Sequence, residues 1–74
     1  MTQEQLDLAT GRITVLLAPC FKHPRERAAN IVMALQGCDT NLERLYAINA
    51  AVREASQTVP RFEIIEVWNE ICSL

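Results

Sequence analysis

Residues 60–74, PRFEIIEVWNEICSL, decide how the whole chain is read. Eight of these fifteen are apolar: Phe62, Ile64, Ile65, Val67, Trp68, Ile71, Cys72 and Leu74. On a helical wheel they cover most of the circumference, leaving a narrow acidic strip of Glu63, Glu66 and Glu70. A helix so nearly apolar all round wants cover on most sides. In a chain of 74 residues that cover comes from a few short helices or from another molecule. Ile64, Trp68 and Ile71 are assigned to the core of one copy. Phe62, Ile65 and Cys72 are assigned to a second surface. Trp68 and Tyr46 belong to the types that dominate binding hot spots, so Trp68 is also kept among the interface residues.

The chain breaks just upstream, at Ser56 to Pro60, and Thr58 or Val59 is expected to cap the last helix. Before the break, Leu42, Leu45, Ile48, Val52 and Ala55 recur at helical spacing. Thr40 and Glu43 have the spacing of a capping box at the start of that helix. Asn49 falls inside its apolar arc and needs a hydrogen-bond partner there, local or from another helix. The preceding helix is expected to open on Pro24, which tolerates the first helical position because its missing N–H has no partner there. It buries Ala28, Ile31, Val32 and Leu35 and ends at Gly37, read as a left-handed terminator.

At the N-terminus, Thr2 and Gln5 fit a second capping box. Leu6, Ala9, Ile13, Leu16 and Leu17 form one stripe of helix 1, and Leu8, Gly11, Val15 and Ala18 form another on nearly the opposite side. That outer stripe makes helix 1 either the centre of a bundle or a docking face, with Gly11 and Ala18 allowing close approach. Pro19 stops the helix. No strand pattern is present. The expected fold is all-α: one domain over residues 1–74, with helices at about 3–18, 24–36, 41–56 and 60–73. Short loops make the neighbours mostly antiparallel. Dimer formation is expected, because a core this small rarely supplies more than about 3–5 kcal/mol.

Composition narrows the function. The net charge is −2, so no bulk attraction to nucleic acid or to an anionic membrane is implied. Three cysteines are too few and odd in number for a disulfide framework. No cationic leader precedes an apolar run, and no run approaches the ~20 residues that span a bilayer. A reduced, cytoplasmic protein without a membrane partner is expected.

Cys20 and His23 are a possible nucleophile and base, but a small thiol beside Phe21 more often fills an apolar pocket. Cys20, His23, Cys38 and Cys72 supply enough ligands for tetrahedral zinc, yet no C-x2-C pair organises them. The Glu63, Glu66 and Glu70 strip reads as a solvated face. No phosphate loop or other catalytic motif is present. The chain is therefore expected to lack a cofactor, a metal and enzymatic activity. The basic cluster Lys22, His23, Arg25 and Arg27 sits where the helix dipole disfavours cations, which is read first as solvation or as pairing, internal or across subunits, with the acidic strip Glu63, Glu66 and Glu70, and second as docking to an anion or an acidic partner. Helices 2 and 3 also have a helix-turn-helix outline, in which Thr40, Asn41 and Arg44 would meet DNA. Asp39 and Glu43 would oppose phosphate in that pose. The leading expectation is a protein-binding module acting stoichiometrically as a regulator, inhibitor or adaptor. Its interface is expected to draw on Leu8, Val15, Phe62, Ile65, Trp68 and Cys72. DNA binding is the alternative.

Overall fold

The computed structural model describes all residues, 1–74. Four helices follow one another: α1 (Gln3–Leu17), α2 (Pro24–Leu35), α3 (Asn41–Ala51) and α4 (Arg61–Cys72), with no strand. They close into a ring. Each helix packs against its two neighbours, α1 against α4 included, while the diagonal pairs stay apart. Antiparallel pairing of α3 and α4 is marked at both ends. Asn69 donates to Asn41 Oδ1 at 3.0 Å, and Arg61 donates to Asn49 Oδ1. The start of α1 lies beside the end of α4, where Gln5 Nε2 donates to the Ile71 carbonyl at 3.4 Å.

Local chemistry sets three of the four helix starts. Thr2 Oγ1 accepts the Gln5 N–H at 3.2 Å, and Gln5 Oε1 accepts the Thr2 N–H at 2.8 Å, a complete capping box. Pro24 occupies the first turn of α2. Thr40 Oγ1 accepts the Glu43 N–H at 3.1 Å, but the Glu43 carboxylate accepts from the Thr40 hydroxyl and does not reach back to the backbone, so only half the box forms. The start of α4 departs from expectation. Its cap is Pro60, with no side-chain bond, and neither Thr58 nor Val59 serves. Val59 is buried in the core instead.

The core is a single cluster of fifteen buried residues, all apolar. α1 contributes Ala9, Ile13 and Leu17; α2 contributes Ala28, Ile31, Val32 and Leu35; α4 contributes Ile64, Ile65, Trp68 and Ile71. α3 gives only Ile48 as a helical residue, with Val52 following at its C-cap. Cys20, Val52 and Val59 close the end of the bundle from the loops.

Three further local expectations change. α3 ends at Ala51 instead of about residue 56, because Val52 leaves helical geometry and Glu54 turns left-handed at φ 67°. The chain then docks onto the first loop: the Ser56 N–H and Oγ both donate to the Cys20 carbonyl, each at 2.9 Å. Gly37 does not adopt positive φ. α2 tightens instead, with Gly37 N–H on Ala34 O and Cys38 N–H on Leu35 O. Leu42, placed on the inner face by spacing, is exposed. The inward register Val52, Ile48 and Leu45 gives way in the first turn to half-buried Arg44 and exposed Asn41, whose polar groups bond to one another.

Candidate functional site

The outer face of α1 and α4 holds three of the six interface residues expected from sequence, Leu8, Val15 and Phe62. Leu8 and Val15 lie two turns apart on α1, hence on one side of it. Both are exposed, Val15 at 73%. Phe62 on α4 is 72% exposed. Between them runs the acidic strip: Glu63, Glu66 and Glu70 are all exposed. Arg12, four residues from Leu8 and three from Val15, bonds to Glu70 at 3.4 Å, so the α1 stripe borders the strip directly. This ion pair is exposed and contributes at most about 1 kcal/mol.

Three of the six interface residues do not reach that face: Ile65 and Trp68 are buried, and Cys72 lines a cleft shared with Leu35, Cys38 and Arg44. Ile65 is 6% exposed and Trp68 is 3% exposed, both enclosed by the same copy. The reason is the breadth of the α4 core face. Because α4 packs against both α1 and α3, its buried arc takes in Ile64, Ile65, Trp68 and Ile71 together. Cys72 is exposed, although it shares a helical face with Ile65 and Trp68, because it is the last residue of α4.

Residues that spacing did not assign to a surface add a second exposed ridge. Leu42 and Tyr46, one turn apart on α3, are both exposed. Asn49, three residues beyond Tyr46, accepts from Arg61, the neighbour of Phe62. The ridge therefore runs along the α4 side of α3 towards Phe62. Helical spacing puts Leu42 and Asn49 on the inner arc of α3, but the helix is turned so that both lie outside. Asn49 is exposed and has the cross-helix bond expected of it.

The basic cluster divides. Lys22, His23 and Arg25 are exposed. Arg27 is committed inside the molecule. Its Nη1 donates to the Ala51 carbonyl at 3.4 Å, its Nη2 pairs with Glu54 at 3.7 Å, and its guanidinium lies 4.9 Å from the centre of the Phe21 ring. Its acidic partner is Glu54 in the α3–α4 loop, not the strip on α4.

The residues proposed to meet DNA are also engaged. Thr40 caps α3, Asn41 Oδ1 accepts from both Arg44 and Asn69, and Arg44 is half-buried between Asn41 and the Cys38 carbonyl. Cys20 is buried, with its thiol donating to the Thr58 carbonyl at 3.7 Å, while His23 is exposed. No three of His, Cys, Asp and Glu come together. Cys38 and Cys72, however, line a common cleft. No helix is long and apolar enough to cross a membrane. Comparison of the chain with protein-family models, with curated proteins and with solved structures finds no match.

Proposed function

We propose that this protein is a small, non-enzymatic interaction module. It binds a protein partner stoichiometrically, as a regulator, inhibitor or adaptor, through the outer face of α1 and α4. The observation that carries the reading is the exposure of Val15 and Phe62 on either side of an acidic strip, in a chain whose core is already complete. Burying such side chains against a partner is worth roughly 1.5–3 kcal/mol each. The flanking Glu63 and Glu66 select a partner that carries Lys or Arg beside its apolar residues. In the absence of that partner the same face pairs two copies into a homodimer. The DNA-binding alternative is disfavoured because Thr40, Asn41 and Arg44 spend their polar groups on the protein itself.

Light scattering over a wide concentration range tests the proposal, using the wild type, Val15→Glu and Phe62→Glu. The wild type is expected to dimerise with concentration. Each variant, whose site is exposed, is expected to stay monomeric with unchanged helix content. A wild type that remains monomeric throughout, or a dimer indifferent to both substitutions, would rule out this face. Titration with random duplex at low and moderate salt checks the alternative, which tight, salt-steep binding would restore.

A further inference from the structure

The fold separates the charges of this chain by position. The loops 18–23 and 52–60 meet at one end of the bundle, where the Ser56 N–H and Oγ both reach the Cys20 carbonyl. Five of the seven Lys and Arg residues gather there: Lys22, Arg25, Arg27, Arg53 and Arg61, against the acids Glu26, Glu54 and Glu63. The rest of the molecule holds Arg12 and Arg44 against the other six acids. Arg27 is paired with Glu54, but Lys22, Arg25 and Arg53 are exposed and without ionic partners. Glu63 and Glu66 of the acidic strip are exposed and equally unpaired. Within one copy Lys22 and Arg25 do not reach that strip, because α2 and α4 stand diagonally in the ring.

Two copies related by a two-fold axis through the α1–α4 face would set strip against strip. Arg12, the cation beside the strip, is already held by Glu70. Like charges placed opposite one another suppress a pairing. The cationic end has the complementary chemistry. Beside Lys22 and Arg25 it presents exposed Ala18 and Pro19 and half-buried Phe21, the combination of cations and apolar surface that the α1–α4 face selects. We propose that the α1–α4 face of one copy takes the loop end of a second copy, with Lys22 and Arg25 on Glu63 and Glu66 and the stretch 18–21 against the apolar residues that flank the strip. The inference rests on the α1–α4 face being the docking surface and names what meets it there. Face-to-end contact is heterologous: each added copy leaves one face and one end free, so a dimer forms first and then extends.

Sedimentation velocity of the full-length protein, over a range of concentration and salt, tests the pairing. The wild type is expected to grow beyond a dimer with concentration and to fall back to monomer near 1 M salt, where the Debye length is ~3 Å. Lys22→Gln with Arg25→Gln, and separately Glu63→Gln with Glu66→Gln, are each expected to weaken self-association by more than about 10-fold, the lower end for close charge pairs across an interface. All four positions are exposed, and circular dichroism verifies that both double variants fold. An equimolar mixture of the two double variants joins one intact strip to one intact cationic end. It is expected to form a discrete 1:1 heterodimer that grows no further, although neither protein associates alone. Glutamine in place of Glu63 and Glu66 would instead strengthen a face-to-face dimer, by removing the repulsion between strips. That strengthening, a mixture that stays monomeric, or association indifferent to salt would each overturn the face-to-end contact. Association abolished by Val15→Glu and Phe62→Glu but untouched by Lys22→Gln with Arg25→Gln would overturn this contact alone, whereas a wild type that never associates would overturn it together with self-pairing through the α1–α4 face.

Discussion

Glu54 is the only non-glycine residue with positive φ. A side chain in that region costs roughly 1–2 kcal/mol, and the surrounding bonds hold it there. Arg27 ties Glu54, the Ala51 carbonyl and the Phe21 ring into one knot, and Ser56 is fastened to Cys20 just beyond. The ion pair is largely solvated and contributes little by itself. Glu54→Gly is therefore expected to match or slightly exceed the wild-type stability. Glu54→Val, β-branched in a left-handed position, is expected to lose about 1–2 kcal/mol. Urea midpoints of the two variants check the order. A valine variant as stable as the glycine one would mean that the loop relaxes out of this conformation.

At the scale of the helix, α1 carries an avoidable cost. Gly11 lies in its middle, and a Cβ added there meets nothing within 4 Å. Glycine in a helix interior is worse than alanine by about 0.5–1 kcal/mol. Gly11→Ala is expected to raise the stability of the monomer by that amount, seen as a higher urea midpoint with an unchanged slope at low protein concentration. If a second chain packs closely on the Leu8–Val15 stripe, the same substitution weakens the dimer in light scattering. α1 would then gain as an element and lose as a docking face. The four helices themselves were legible because their signals are local: Thr2 with Gln5, Pro24, Thr40 with Glu43, and apolar residues at intervals of three and four. The end of α3 was not legible, because the contacts that hold residues 52–56 off the helix come from Arg27 and Cys20, 24 and 36 positions away.

Taken whole, the molecule buries an ordinary share of itself. Its accessible surface is 4700 Å², close to the ~4,600 Å² expected of a folded monomer of this mass. Its radius of gyration of 11.1 Å matches the ~11 Å of a compact domain. One copy thus gives α4 the cover that its composition demands, and a second molecule is not needed to complete the core. With only fifteen buried residues, that core has little reserve. Ile13, fully buried in the middle of α1, should cost about 2–5 kcal/mol when replaced by alanine. Against a total of about 3–5 kcal/mol, Ile13→Ala is expected to be largely unfolded at room temperature. A far-UV circular dichroism melt that still shows a cooperative transition less than about 5 °C below the wild type would contradict this.

Helix content, three of the four helix starts and the all-α class were settled by the chain alone, because capping and amphipathic spacing act between residues three or four apart and need no third party. Which apolar residues would stay outside was decided only by the tertiary structure. Phe62 and Ile65 look alike on a wheel, yet one is exposed and the other enclosed. The difference lies in the closing of the ring: α3 and α1 flank α4 from two sides, so the Ile65 side is covered and the Phe62 side is left open. The same closure puts Cys38 and Cys72, far apart in sequence, on the wall of one cleft. Long-range packing determines which faces meet, and no local spacing encodes that geometry.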